Sequence, residues 1–319
     1  MRFIFSLAIG AILIFLSGHV DQLRSYQGAQ AAIFAIAISS IVLLTGYSGQ
    51  ISLGHGALMA VGGYVGVLAQ IHLHLPYPIA FLVGAAVGGC SGFLLGIAAA
   101  RLRGPYLAGT TLALAVGLPS LANQFHILGG EQGILWDVGT PPASLGSGFT
   151  QYRWFFVVAV IAALATFWLL RNLLSTRYGR RWQALRSNPT AAALAGINVG
   201  KAKVLAFTLS SAVAGLAGSL FAMLLGLVAP LAFTLTLSFT LVTGAVLAGV
   251  SNLGGSIVGA VVLVAIPELS NAAASHFGGS DKVTANLPGV ITSVLLIATV
   301  LFAPNGPKLP RMKRHSSRQ

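Results

Sequence analysis

Residues 177–203 read RYGRRWQALRSNPTAAALAGINVGKAK, and this basic stretch lies between two long apolar segments. It contains no acidic residue and six of the 18 Lys and Arg residues of the chain, namely Arg177, Arg180, Arg181, Arg186, Lys201 and Lys203. Two apolar segments joined by a basic one are the pattern of membrane spans with a cytoplasmic loop between them, because Lys and Arg concentrate on that side. The stretch therefore predicts both a membrane fold and its orientation.

The composition of the whole chain indicates the same class. Of its 319 residues 56% are hydrophobic and only 7% are charged, and the mean hydropathy is +0.87. Soluble domains have roughly 25% charged residues, so this chain could not cover a water-facing surface. The basic residues that give the net charge of +13 lie between apolar spans and not along one soluble face. This distribution argues against nucleic-acid binding. With a single cysteine, Cys90, no disulfide within the chain is possible.

Ten segments are long and apolar enough to span a bilayer, which takes about 20 mostly apolar residues. They run over 2–19, 28–46, 51–70, 78–100, 104–125, 153–171, 203–227, 233–250, 253–270 and 286–303. The predicted fold class is all-α, a polytopic membrane protein of about ten transmembrane helices with both termini cytoplasmic.

Residues 1–306 then form the transmembrane domain, with the cytoplasmic loop 172–203 inside it, and 307–319 form a basic cytoplasmic tail. The closely spaced pairs, 28–46 with 51–70 and 233–250 with 253–270, leave room for a short or re-entrant helix. Residues 1–19 could be a signal peptide, but the sequence after them lacks a small-x-small cleavage site, which favours a retained first span.

The distribution of basic residues supports this topology. Fifteen of the 18 Lys and Arg residues fall in segments predicted to be cytoplasmic, and only Arg24, Arg153 and Lys282 fall outside. Because basic residues near span ends set orientation, the bias favours cytoplasmic termini.

Loop 177–203 has more internal order than an orientation anchor requires. Asn188 and Pro189 interrupt a basic helical run, an Ala-rich segment follows, and Gly196 comes after it. Proline at a first helical position and glycine just past the last one are typical of a short helix. We predict such a helix over about 188–197 and interpret it as a docking element, the alternative being an anchor alone.

Glycine spacing predicts where helices pack. Gly84, Gly88, Gly92 and Gly96 recur every fourth residue, which keeps them on one face of a helix. Such small-residue seams let membrane helices approach closely.

Polar side chains in the apolar segments mark a candidate site. Ionisable residues are almost absent from the span interiors, and His55 is the one well inside. The polar candidates are Gln50, Ser52, His55, Tyr64, Thr110 and Thr111. They serve either interhelical hydrogen bonds or a permeation path, since polar groups at depth need protein or water partners.

No ATP-binding motif accompanies this site. The stretch from Gly196 to Lys201 has three residues between its glycines where a phosphate-binding loop has four. An ion-driven carrier would require intramembrane charges, so active transport would be driven by another subunit.

Several blocks of the sequence occur in the order found in one family of transporters. They are GYSGQISLGHGALMAVGGYVG (46–66), RLRGPYLAGTTLAL (101–114), GGEQGI (129–134), the segment 177–222 that begins RYGRRWQALRSNPTAAALAGINVG, and LGGSIVGAVVLVAIPE (253–268). The chain resembles the permeases of branched-chain amino acid ABC importers, in particular their M-type subunit, from about residue 28 to 306.

The resemblance implies a permease subunit in a bacterial inner membrane, not an enzyme, with no cofactor of its own. The implied partners are a second permease in a heterodimer, two ATPase subunits that hydrolyse ATP, and an extracytoplasmic binding protein. Glu131 and Asp137 would face the binding protein. The segment 177–203 would couple to the ATPases through Gly179, Arg180, Arg181, Arg186, Pro189, Ala192, Gly196 and Ile197.

Departures from the family pattern leave the cargo open. Asn188, Pro189 and Ala193 stand where relatives often carry acidic residues, and so do Pro105 and Val116. The expected cargo is a branched-chain or other hydrophobic amino acid, and the alternatives are urea, a short amide or a sugar. A membrane lipid-modifying enzyme would require a cluster of acids or histidines, which the sequence lacks.

Overall fold

α-Helices account for most of the chain in the computed structural model, which describes residues 21–102, 105–138, 141, 149–276 and isolated positions between 287 and 298. The predicted span 2–19 and the tail 307–319 lie outside these residues, and so does most of the predicted span 286–303. The structure therefore bears on eight of the ten predicted spans.

The first half of the described chain holds four long helices. They are α1 (Gln22–Ile41), which continues into a π-helical turn (Val42–Tyr47), α2 (His55–Leu73), α3 (Tyr77–Arg101) and α4 (Pro105–Gln124). Two 3-10 turns (His126–Leu128 and Gly130–Gln132) and a short strand β1 (Ile134–Leu135) follow α4.

The second half contains two long helices separated by two short ones, and then two more helices. They are α5 (Gln151–Ser175), α6 (Arg177–Ser187), α7 (Pro189–Leu194), α8 (Val199–Leu225), α9 (Leu235–Leu247) and α10 (Gly255–His276). Strand β2 (Leu227–Val228) and a 3-10 turn (Pro230–Phe233) lie between α8 and α9.

Six helical segments of the described residues are long and apolar enough to cross a membrane, or seven if one bent pair counts as a single span. The bent pair is α4 with the 3-10 turns after it, which meet at 104°. The predicted span 253–270 corresponds to α10, whose apolar part, Gly255–Leu269, is shorter than the others. Of the predicted fold class, the helical and multi-span character is confirmed, whereas the count of ten and the cytoplasmic termini remain predictions.

The most extensive helix contact joins α3 to α8 and follows the predicted glycine seam. Gly84, Gly88, Gly92 and Gly96 are all buried against α8, where their neighbours run from Ser219 to Val204. Gly62 of α2 meets the same part of α8, where its nearest neighbour is Gly215, and it also lies beside Gly84 of α3. The seam is therefore confirmed, and it explains how three helices pack at backbone distance.

The loops gather at two ends of the helix bundle. At one of them, which we call the basic end, Arg186 of α6 donates to the Gly46 carbonyl and the Gln50 amide donates to the Lys203 carbonyl (3.3 Å). At the opposite end, called the far end, the Trp136 indole donates to Gln70 Oε1 (3.0 Å) and β1 pairs antiparallel with β2. These contacts place the end of α1 and the start of α8 at the basic end, and the ends of α2, α4 and α8 at the far end. For these helices, the directions agree with the predicted topology.

Candidate functional site

A break between α1 and α2 brings polar groups into the interior of the bundle. The chain leaves the π-helical turn, passes through residues 48–54 and begins α2 at His55, whose side chain is only 1% exposed. His55 Nε2 lies 3.1 Å from the hydroxyl of Ser210 in α8, and that hydroxyl donates to the Ser40 carbonyl of α1 (2.7 Å). The start of α2 is thus joined to two other helices.

Hydroxyl groups of two further helices accept hydrogen bonds from backbone amides at the same break. The Leu53 amide donates to Thr111 Oγ1 of α4 (3.0 Å), and the Gly56 amide donates to Ser238 Oγ of α9 (3.0 Å). A side chain at Gly54 would collide with the backbone of Thr111, so the close approach requires glycine there. Five helices, α1, α2, α4, α8 and α9, therefore meet at one polar cluster, composed of Ser40, His55, Thr111, Ser210 and Ser238.

The polar cluster lies near the middle of the bundle. Ser210 is 11 residues from the start of α8 at Val199 and 15 from its end at Leu225, which a rise of 1.5 Å per residue converts to about 17 Å and about 23 Å. The hydrocarbon core of a bilayer is about 30 Å thick. Interrupted helices around polar groups at this depth are a recurring feature of transport proteins.

The predicted path residues divide between this cluster and other places. Gln50, Ser52, His55 and Thr111 are all buried at or beside the break. Tyr64 is also buried, but it lies nine residues beyond His55 in α2, which corresponds to about 14 Å.

Thr110 differs from the other predicted path residues because its side chain is exposed. Its hydroxyl donates to the Leu107 carbonyl of its own helix (2.9 Å) and makes no contact with the cluster. The structure adds Ser40, Ser210 and Ser238, which the sequence analysis missed, since serines occur in several of the apolar helices and nothing in their spacing sets these three apart.

Three buried polar atoms of the predicted path residues lack a hydrogen-bond partner among the described residues. They are Gln50 Oε1, His55 Nδ1 and the Tyr64 hydroxyl. The amide nitrogen of Gln50 is bonded, to Ser48 Oγ (2.9 Å) and to the Lys203 carbonyl (3.3 Å). Buried polar groups are normally paired with protein or water, so these three atoms are available to a polar solute or to water.

At the basic end, the predicted cytoplasmic loop contains two short helices, α6 and α7, which we call the docking segment after the role that the sequence analysis predicts for α7. Asn188 caps α7 by accepting from the amides of Thr190 and Ala191 (both 3.0 Å), and Pro189 occupies the first helical position. Gly196, with φ +79°, ends the helix.

The end of α7 has the hydrogen bonds of a Schellman motif. The Ile197 amide donates to the Ala192 carbonyl and the Gly196 amide to the Ala193 carbonyl, both at 3.0 Å. These two bonds satisfy carbonyls that a helix end otherwise leaves unpaired. The predicted short helix within 188–197 is confirmed as α7, and its two caps make it a defined element.

The two faces of the docking segment differ in what they offer a partner. Leu194 is 87% exposed, and Ala191, Ala193 and Ala195 beside it are exposed as well. Ala192 is 3% exposed and faces the bundle. Leu194, which the sequence analysis missed, is therefore the principal apolar side chain that this segment presents.

The other predicted coupling residues also fall on both faces. Arg180, Arg181, Pro189 and Gly196 are exposed, and Ile197 is half-buried. Gly179 is buried, and a side chain there would overlap the Leu174 backbone at the end of α5. Gly179 and Ala192 thus fix the segment to its own chain.

Arg186 connects the docking segment to two turns of the bundle. Its Nη1 donates to the Gly46 carbonyl and to Ser251 Oγ (2.5 Å), which precedes α10. Its aliphatic part lies against Gly49, whose φ of +72° requires a left-handed backbone. The turn that holds Gly46 and Gly49 leads directly into the break at His55.

At the far end, Glu131 and Asp137 are both exposed. Glu131 lies in the second 3-10 turn, and Asp137 lies between the buried side chains of Trp136 and Val138. The Tyr77 hydroxyl donates to the Val138 carbonyl (2.8 Å), which attaches this loop to the start of α3.

Comparison with known proteins gives a matching family and several curated relatives. The model of the family described as branched-chain amino acid transport system, permease component, matches residues 26–303. The high-affinity branched-chain amino acid transport system permease protein LivM of Salmonella typhimurium is 33% identical over 253 residues, which are 71% of this chain and 59% of the relative. LivM of Escherichia coli is 32% identical over the same shares of both chains.

The autoinducer 2 import system permease protein LsrC of Salmonella typhi is 29% identical over 271 residues, which are 80% of this chain and 73% of the relative. The chain spans about three fifths of the length of the LivM relatives that it matches. No solved structure matches it.

Proposed function

Because the chain belongs to the family of branched-chain amino acid transport system permease components, we propose that it is the transmembrane permease subunit of a binding-protein-dependent ABC importer. Its cargo is a branched-chain or another hydrophobic amino acid. Separate ATPase subunits hydrolyse the ATP and drive the permease through residues 177–203.

The proposed assembly consists of this chain, a second permease subunit, two ATPases and an extracytoplasmic binding protein. The chain lies in the inner membrane with about ten spans and both termini in the cytoplasm. It pairs with a second permease subunit, and two ATPases bind its basic end. An extracytoplasmic binding protein delivers the cargo to the far end, where Glu131 and Asp137 are exposed.

One observation carries the proposal, namely the continuous connection from the docking segment to the polar cluster. The exposed face of α7 at Leu194 lies in the same segment as Arg186, and Arg186 bonds to the turn that precedes the break at His55. A displacement of α7 by a partner would therefore reach the helix break through Arg186 of α6.

The polar cluster suits a solute without net charge. Between Arg24 and Arg101, and again between Lys203 and Glu268, the sequence contains no Asp, Glu, Lys or Arg. The hydroxyls and the imidazole of the cluster could hold the ammonium and carboxylate of an amino acid by hydrogen bonds, with no buried charge left when the solute departs. The cluster is closed by its own hydrogen bonds in this structure, so passage of a solute requires α2 to move relative to α8.

A second candidate cargo is autoinducer 2. The similarity to the LsrC permease covers a larger share of this chain than the similarity to LivM does, at lower identity. A cargo rich in hydroxyl groups would also find hydrogen-bond partners in a cluster of serine, threonine and histidine. Uptake of leucine and of autoinducer 2 by the reconstituted importer separates the two cargoes.

The proposal is tested by purifying the chain together with its candidate ATPases and replacing one leucine at either end. Leu194 and Leu231 are 87% and 80% exposed, and Leu231 lies at the far end. Leu194→Glu buries an unpaired carboxylate in the docked complex, which costs about 3–5 kcal/mol. We expect it to abolish recovery of the ATPases, whereas Leu231→Glu leaves recovery unchanged.

Both variants should elute from a sizing column as the wild type does, because neither side chain packs inside the chain. If Leu194→Glu recovers the ATPases as well as wild type does, α7 is not the docking element. Residues 177–203 would then serve orientation alone.

A further inference from the structure

A cavity of about 310 Å³ lies between α6 and the start of α8 at the basic end. It belongs to neither the polar cluster nor the exposed face of α7 at Leu194. Its lining combines two cations with apolar and aromatic side chains, among them Arg181, Trp182, Ile197, Lys201, Ala202 and Leu205.

The two cations of the cavity have no acidic partner nearby. Arg181 comes from α6 and Lys201 from the first turn of α8, and both are exposed. Within the described part of the chain, neither side chain forms an ion pair, and the sequence from 177 to 203 contains no Asp or Glu. Two unpaired cations from different helices thus converge on one cavity, which is an arrangement that attracts an anion.

The walls of the cavity are apolar and held in place. The Trp182 indole donates to the Ala202 carbonyl (2.9 Å), which fixes the aromatic ring between α6 and α8. Leu205 extends the wall four residues further along α8 than Lys201, which is about 6 Å. A small inorganic anion would leave this apolar surface uncovered, whereas a ligand with an anionic head and an apolar body would contact both parts.

The cavity also lies where two candidate membrane-spanning helices end, at the end of α5 and the start of α8. It is bounded by the segment that joins α5 to α8, and both of these helices are long and apolar enough to span a bilayer. Tyr178 and Trp182 line it, and aromatic rings of this kind are enriched at the boundary between lipid and water. Basic pockets between transmembrane helices on the cytoplasmic side are known to bind anionic lipid headgroups.

We propose that this cavity binds an anionic phospholipid of the adjacent leaflet. The phosphate lies between Arg181 and Lys201, and the glycerol and upper acyl region lie against Trp182 and Leu205. The lipid links α6 to α8 at the base of the docking segment. This inference does not depend on the proposed cargo or on the ATPases, because the site is formed by this chain alone.

The test is lipid binding to the purified full-length chain, measured by native mass spectrometry during titration with phosphatidylglycerol or phosphatidylcholine. We expect phosphatidylglycerol to bind in preference. The double variant Arg181→Gln/Lys201→Gln should weaken its binding about 30-fold, because each basic side chain near a membrane surface contributes roughly a factor of five. Arg101→Gln is the matched control, since Arg101 is an exposed cation at the same end that does not line the cavity.

Three results would overturn the proposal. Equal binding of the two lipids would show that the charge of the headgroup is not recognised. A loss of about fivefold in Arg101→Gln, which is the same loss per charge as in the double variant, would show that the basic surface as a whole attracts the lipid. Displacement of the lipid by millimolar inorganic phosphate would identify a phosphate site.

A further arm of the test adds the candidate ATPases. If the wild-type chain binds no anionic lipid, and the double variant instead fails to recover the ATPases, the cavity belongs to the protein interface and the lipid assignment is wrong. A variant that elutes and melts as wild type does shows that its lipid result does not arise from misfolding.

Discussion

The close contact between α2 and α8 can be tested by a single substitution. Gly62 lies against Gly215, and a Cβ at Gly62 would overlap the backbone of Gly215, including its carbonyl. Neither helix can yield locally, because the obstructing atoms belong to a backbone. The Gly62 carbonyl also accepts a hydrogen bond from Ser219 (2.8 Å), which any separation of the helices would lengthen.

The expected effect of Gly62→Ala is a balance of three terms. Replacing a glycine inside a helix by alanine ordinarily stabilises the helix by about 1 kcal/mol. Overpacking destabilises by about 1–3 kcal/mol, and weakening the buried Ser219 hydrogen bond costs about 1 kcal/mol more. We therefore expect Gly62→Ala to lower the free energy of unfolding by about 1–3 kcal/mol.

Gly109→Ala is the matched control because Gly109 is also inside a helix, α4, and a Cβ there would meet nothing within 4 Å. It should leave the stability unchanged or raise it by up to about 1 kcal/mol. Both variants can be compared by thermal denaturation in detergent, followed by the loss of the monodisperse peak on a sizing column. A Gly62→Ala protein as stable as Gly109→Ala would refute the close approach of α2 and α8.

Two further predictions concern the break at His55. Arg186→Gln removes the guanidinium that binds Gly46 and Ser251. The ATPases should still bind to this variant, but its uptake per ATP hydrolysed in proteoliposomes should fall on the order of tenfold. Unchanged uptake would show that the contact between Arg186 and the turn transmits no motion. Thr111→Val leaves the Leu53 amide without its partner and should destabilise by about 1–3 kcal/mol in thermal denaturation, whereas Thr110→Val should change stability by less than about 0.5 kcal/mol. Equal effects of the two valines would mean that Thr111 does not hold the break.

Local features of the fold were predictable from the sequence where one short pattern determines the geometry. The four-residue spacing from Gly84 to Gly96 fixes a helix face without reference to any partner. Asn188, Pro189 and Gly196 likewise specify a capped helix through bonds within a few residues. Alternation of the spans followed from hydropathy and charge, which depend on the membrane and not on tertiary contacts.

Other features depend on contacts between segments that are distant in the sequence, and no local sequence pattern predicts such contacts. The sequence placed Ala192 in the docking segment, but only the packing of α7 shows that Ala192 faces inward and Leu194 outward. Ser210 lies 155 residues from His55 in the sequence, and Ser238 lies 182 residues from Gly56. Only the packing of the helices brings each of these pairs into hydrogen-bond contact. Of the predicted span 253–270, the apolar part of α10 covers only Gly255–Leu269, because residues 253 and 254 belong to the turn before the helix.

The connection between the docking segment and the polar cluster uses backbone carbonyls and not ion pairs. Arg186 bonds to the Gly46 carbonyl, and the Gln50 amide bonds to the Lys203 carbonyl at the start of α8. A hydrogen bond to a carbonyl holds Arg186 in place without a second charge in the membrane. An ion pair would need an acidic partner, and that acid would be costly in the membrane once the contact broke. In the proposed importer, this arrangement lets α7 pull on the break in α1–α2 and then release it, with Arg186 returning to water at the basic end. The basic stretch 177–203 can therefore fix orientation and transmit motion through the same arginine.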